Sequence, residues 1–335
     1  MKKYYKLTIL IMAILLVGLI LGSVALGRFP ISVKELFGIL GSKFFRIRPF
    51  WTPSQESLLL YSRLPRILMA VLVGCSLSTA GASYQGVFQN PMAAPDLLGA
   101  SSGAAFGAAL AILLNLGNTF TMIFAFIFGI ITVLIVVLIG NSIRGKRALS
   151  FILAGIMVSS LASSGVSFIK LVADPTDQLP AITYWLMGSL NGIMPRDLLF
   201  AVIPMAIGLI ALLLLRWRIN ILTLGDEEAR TIGVNTKALR IIVIAAATLV
   251  TSACVAVSGI IGWVGLVIPH IARKVVGDDY KKLLPASMLM GSFFLLVVDD
   301  LSRCLFTNEI PIGILTSLVG APFFIYLIVK DGNRS

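Results

Sequence analysis

The sequence predicts an all-α polytopic membrane protein of about ten transmembrane helices, on three observations. Runs of roughly twenty apolar residues recur along the chain, from Leu7–Leu26 to Ile312–Val329, and a bilayer core of about 30 Å takes roughly 20 helical residues to cross. Only 13% of the residues are charged and 58% are hydrophobic, about half the charged share of an ordinary soluble domain. No interval between the runs is long enough for a soluble domain, so residues 1–335 are read as a single transmembrane domain. In hydrocarbon the backbone must satisfy its own hydrogen bonds, and such runs become helices.

Each element follows from its local pattern. Lys2, Lys3 and Lys6 precede the run 7–26, which is longer than a signal-peptide core and is expected to remain as the first helix. Spans follow near 64–85 and 97–115, both crowded with Gly, Ala and Ser that let helix backbones approach closely in lipid. A tight bundle with no pore fits those small residues as well as a path does. Spans near 119–140 and 150–171 are strongly apolar, and an amphipathic stretch at 179–190 is expected at the surface. Spans near 197–215 and 238–258 come next; 261–273 is too short to cross and is expected to dip into the interior. Spans near 284–303 and 312–329 complete the set.

The net charge of +12 is read as juxtamembrane Lys and Arg holding topology and touching anionic lipid, not as a nucleic-acid surface. Ten passes with the N-terminus inside put both termini in the cytoplasm and most of the 27 Lys and Arg on that side. Seven positive charges between Arg28 and Arg66 then fall outside, against the rule. Cys75, Cys254 and Cys304 stand singly in apolar runs and read as packing residues. His270 is the only histidine, which argues against a multi-histidine metal site or a Ser-His hydrolase. Lys170, Asp299 and Asp300 are the nearest candidates for the intramembrane charges of an ATP-independent secondary transporter, and all fall toward the outer helix ends.

Two polar segments carry the chemistry. Gln85-Gly86-Val87-Phe88-Gln89-Asn90-Pro91-Met92-Ala93-Ala94-Pro95 joins two spans. Its prolines forbid a continuous helix, so it is either a gate at the mouth of a path or a polar interfacial turn. Leu222 to Asn235 joins two later spans, with Gly225, three acids in a first helical turn, and Gly233 at the end. That is a short capped helix, either docked on a cytoplasmic partner or solvated.

These segments resemble the membrane subunits of bacterial ABC importers for iron-siderophore, haem and vitamin B12. The likeness runs through Arg63-Leu64-Pro65-Arg66, Gln85 to Gly99, Leu224 to Val234, Gly262 to Arg273, and Ile310 to Phe324, in order and over roughly residues 5–330. It implies a type II importer permease: ten helices per subunit, a second permease copy or homologous permease, two ATPase subunits, and an external binding (lipo)protein. It places the chain in the bacterial cytoplasmic membrane. The 224–234 segment matches the family's coupling helix, which puts Gly225, Asp226, Glu228, Arg230 and Gly233 at the ATPase contact. Arg63, Arg66 and Arg303 match outer arginines that receive the binding protein, although Asp299 is spaced to pair with Arg303 along the helix. The cytoplasmic gate falls on Asn90 and Met92 with Ala148 and Leu149, the latter pair more apolar than in some members. The chain has no Walker-type phosphate loop, so ATP and Mg are expected only in the partner ATPase, with no cofactor and no metal here and no enzymatic activity of its own. The expected cargo is an iron-siderophore complex, with haem or vitamin B12 as the alternative.

Overall fold

The computed structural model describes residues 5–27, 29, 31–43, 45, 48–143, 147–305 and 308–332. The described residues form helices and connections only, without a strand. Ten apolar helices match the ten expected spans: α1 (Tyr5–Ala25), α4 (Leu64–Val87), α5 (Ala100–Leu113), α6 (Asn118–Ser142), α7 (Arg147–Val172), α9 (Pro195–Leu222), α11 (Thr236–Ser258), α12 (Val264–Val276), α13 (Tyr280–Cys304) and α14 (Ile312–Gly332). The amphipathic stretch becomes α8 (Gln178–Leu186), which buries Ile182. The segment after α9 becomes α10 (Asp226–Thr231).

Two short helices were not expected: α2 (Val33–Ser42) and α3 (Pro53–Leu58). Each starts with a reciprocal cap. Ser32 Oγ accepts from Glu35 N while Ser32 N donates to the Glu35 carboxylate at 2.7 Å, and Thr52 and Gln55 repeat the arrangement. The backbone N–H of Ser32 holds the Glu35 carboxyl below the usual range. A π-helical turn, Leu59–Arg63, joins α3 to α4.

Two helices are too short to span alone. At 1.5 Å per residue, α12 with 13 residues is about 20 Å long, as expected of an interior segment. The third expected span is also curtailed: a 3₁₀ turn, Pro95–Leu98, takes its first residues and α5 keeps 14. Pro95 sits at the start of that turn and Gly99, at φ 77°, ends it in a left-handed conformation.

The helix α4 is the hub. Nineteen of its residues are buried, including Ser76, Ser78, Ser83 and Gln85, and it packs on α9, α11, α12 and α13. A Cβ at Gly74 would collide with the Gly291 backbone of α13, and one at Gly81 with the Gly265 backbone of α12. The Ser78 hydroxyl adds a bond to the Ser287 carbonyl across the same seam at 2.8 Å. Among the cysteines, Cys254 is buried and Cys75 is partly so, whereas Cys304 is exposed and is not a packing residue.

Gly81→Val forces α4 away from α12, and overpacking of this kind costs about 1–3 kcal/mol. The expected outcome is a lower melting temperature of the detergent-solubilised protein; an unchanged melt would refute the close-contact seam.

Candidate functional site

At one end of the bundle α10 hangs between α9 and α11. Gly225 at φ 117° and Gly233 at φ 81° bracket it in conformations that L-residues avoid. The Val234 N–H closes the helix on the Ala229 carbonyl at 3.1 Å. The helix is shorter than the expected 224–234, because only Asp226–Thr231 has helical geometry. Ala229 is fully buried and anchors it, while Glu227, Glu228 and Thr231 face out. Leu224 and Ile232, on its two shoulders, are 57% and 60% exposed. The side chains of Asp226 and Arg230 lie outside the described residues.

The Gln85–Pro95 segment lies at the same end. Gln89 takes a left-handed backbone (φ 49°), and its amide donates to the Leu222 carbonyl, the last of α9, at 2.6 Å. Asn90 turns the chain by accepting from Met92 N–H at 2.9 Å, and Met92 is exposed. Of the second pair expected at the gate, Leu149 is exposed and the Ala148 side chain lies outside the described residues. The two segments meet through Phe88 and Phe151, edge to face at 6.5 Å.

Sequence reasoning missed the residues that tie this end together. Arg273, at the end of α12, donates to the Gln85 side-chain carbonyl and to Tyr280 Oη at 3.0 Å. Asn220 accepts from the Tyr280 N–H and donates to Asp279, both at 2.8 Å. The bond from Asn220, with the N–H of Lys281 and the Lys282 and Lys281 charges, outweighs burial and holds the Asp279 carboxyl below its usual range. Two glutamines beside a helix break were visible in the sequence, but their partners were not.

The opposite end of α4 carries the arginines. Arg63, Arg66 and Arg303 come together there and are buried, at 6%, 8% and 7% exposure. Arg66 pairs with Asp299 at 2.9 Å and Glu309 at 2.8 Å. Arg303 pairs with Asp300 and with Asp299 at 3.5 Å, the helical pairing noted above. Arg63 donates to the Val24 carbonyl at 3.0 Å and to that of Phe29, and Arg303 to the Ser23 carbonyl at 3.1 Å. The bonds to the Ser23 and Val24 carbonyls satisfy acceptors that the end of α1 leaves open, where positive charge is favoured. Three acids balance three guanidinium groups, and what remains open is a cleft of about 140 Å³ lined by Phe29, Ser62 and Glu309 with the arginines.

Also at this end, Tyr184 and Trp185 of α8 wall a cavity of about 500 Å³ with Asn115, Asn118 and Asn191. Met187 is half-exposed outside it.

A solved structure described as an inward-facing conformation of a metal-chelate type ABC transporter superposes with a TM-score of 0.87 and 37% identity, covering 96% of this chain and 99% of that one. The molybdate import system permease protein of Haemophilus influenzae is 38% identical over 92% of this chain and 91% of its own length. A Helicobacter pylori protein named probable iron chelatin transport system permease is 38% identical over 83% of this chain and 84% of its own. The chain belongs to the FecCD transport family, whose match covers residues 14–330. It is therefore a multi-pass membrane permease of an ABC importer, a class that works with ATPases and binding proteins.

Removing one partner of a buried ion pair costs about 3–5 kcal/mol, whereas replacing a pair by apolar residues is often neutral. Asp299→Ala is expected to lower the melting temperature more than the double change Asp299→Leu with Arg66→Met. Equal losses would show that the ion network is not a coupled unit.

Proposed function

We propose that this permease imports an iron-siderophore complex, driven by a partner ATPase that grips α10 from the cytoplasm. The observation that carries the reading is α10 itself. Ala229 anchors it, its glycine brackets fix its pose, and Leu224 and Ile232 expose apolar surface on both shoulders. Apolar side chains held out on a rigid protrusion suit a partner surface. Glu228 supplies charge to that contact, and so do Asp226 and Arg230 by their positions in the helix.

On this reading the α10 end faces the cytoplasm together with both termini, and the arginine end faces outward, where α2, α3 and the cleft receive the binding protein. Arg63, Arg66 and Arg303 line that cleft and dock the binding protein there while holding α1, α4 and α13 together. The path runs between two permease copies. In support, Ser160, Ser163, Ser164 and Ser167 form an exposed stripe on α7, and Ser160, Ser164 and Ser167 spend their hydroxyl protons on carbonyls four residues back. Such a surface is polar enough to stay wet yet offers few free donors to hold cargo. Asn90, Met92, Ala148 and Leu149 form the inner gate. ATP and Mg are bound by the partner, and this chain contributes no catalysis.

The iron-chelate assignment draws on the Helicobacter pylori relative's name. The Haemophilus influenzae relative, named for molybdate, marks the range of cargo to be tested beside haem and vitamin B12.

Charge reversal at Asp226 and Glu228 (both to Lys) is expected to weaken ATPase retention on purification by about tenfold or more, roughly 1.4 kcal/mol or above. Proteoliposome uptake of ferric siderophore, haem, cobalamin and molybdate, each with and without ATP, tests the substrate. ATP-independent uptake would remove the importer reading, and preference for another cargo would remove the siderophore.

A further inference from the structure

We propose that Gln85, Gln89, Asn220, Arg273 and Tyr280 are positioning residues that close a hydrogen-bonded ring through four helices and link α10 mechanically to the Gln85–Pro95 gate segment. The inference rests on the coupling role of α10 proposed above. It adds the residues through which α10 acts.

The ring can be followed bond by bond. From the end of α4, the Gln89 amide reaches the Leu222 carbonyl at 2.6 Å. Two residues earlier on α9, Asn220 Oδ1 accepts from the Tyr280 N–H and its Nδ2 donates to Asp279, both at 2.8 Å, binding the start of α13. The Tyr280 hydroxyl accepts from Arg273 of α12 at 3.0 Å. Arg273 donates to Gln85, back on α4, and the Gln85 amide reaches the Leu266 carbonyl of α12 at 3.4 Å. Inside the ring α4 and α9 lie so close that a Cβ at Gly86 would press on Ile219 and Tyr280.

The ring's position gives it a use beyond packing. Leu222 is the last residue of α9, and only Thr223, Leu224 and Gly225 separate it from α10. That connection reaches about 10 Å at most and is tied back to α9 by the N–H groups of Thr223, Leu224 and Gly225 on the Ile219, Ile221 and Leu222 carbonyls, so a shift of α10 reaches the Leu222 carbonyl. Gln89 holds that carbonyl, and Gln89 directly precedes Asn90, Pro91 and Met92. Its left-handed backbone is unusual for a residue other than glycine. The backbone holds that conformation as a helix cap, with the Asn90 N–H on the Gln85 carbonyl at 3.1 Å and the Gln89 N–H on that of Gly86 at 3.4 Å, and the side-chain bond to Leu222 ties the cap to α9. The arginine cluster, some two dozen residues away along α4, takes no part.

Gln89→Gly tests the link, because glycine keeps the backbone conformation and deletes the tie. In the complete transporter in liposomes, ATP hydrolysis is expected to stay within about twofold of wild type. Cargo imported per ATP is expected to fall about fivefold or more, the order of a coupling between two sites. Gln85→Leu is expected to act the same way and Gln85→Glu, which keeps an acceptor for Arg273, to recover most of the loss. Unchanged import per ATP in both Gln89→Gly and Gln85→Leu overturns the ring as a link and leaves the importer assignment standing. A wild-type transporter with no ATP-driven uptake overturns the importer assignment and the ring's role together. Should the variants not assemble, spin labels at Met92→Cys and Thr231→Cys in a Cys304→Ser background, which removes the exposed native thiol, decide the matter. Both labels are expected to move on nucleotide trapping, and a moving Thr231 label beside a static Met92 label overturns the proposal.

Discussion

The bundle depends on α4 touching its neighbours backbone to backbone. In lipid no hydrophobic force separates helix from surroundings, and association rests on close packing and interhelical hydrogen bonds. Gly74 against Gly291 and Gly81 against Gly265 bring α4 within reach of α13 and α12, and Ser78 exploits that approach with a bond to Ser287. Once α4 is enclosed by α9, α11, α12 and α13, its polar residues are committed to partners inside the protein. Its two ends then become the places where the bundle is tied. The arginine network and the glutamine ring follow from burying a helix that is polar at both tips.

The ten apolar helices were legible because hydrophobic run length is a direct physical signal, and their ends lie within a few residues of the expected spans, except that α9 continues past the expected 215 to Leu222 through Arg216, Arg218 and Asn220, which apolar run length does not register. The exceptions have local causes. Gly99 and the Pro95 turn cut the start of α5. Helices α2 and α3 are short and half-exposed, so apolar run length misses them. Their Ser32-x-x-Glu35 and Thr52-x-x-Gln55 boxes were the signal that would have found them. The glycine brackets of α10 were visible too. Burial of the arginines was not, since Asp299 and Glu309 lie 233 and 243 residues from Arg66. No periodicity reports a pairing at that range. The same limit hid Arg273 from Gln85, 188 residues apart.

The two tied ends of α4 differ in how hard they are to undo. At the arginine end Arg66 and Arg303 face buried acids while Arg63 is held by the Val24 and Phe29 carbonyls, and removing one partner of a buried ion pair costs about 3–5 kcal/mol. At the α10 end the links run mostly through neutral amides, a phenol and backbone groups, with Arg273 and Asp279 the charged members. A neutral hydrogen bond contributes about 0.5–1.5 kcal/mol net, and leaving one of its buried partners unsatisfied costs about 1–3 kcal/mol, less than uncovering a buried charge. One end is therefore a lock and the other a joint whose bonds exchange at low cost. A transport subunit driven from one side needs this asymmetry. The joint sits where α10 and the Gln85–Pro95 segment meet, and the lock holds α1, α4 and α13 in register against the same displacement.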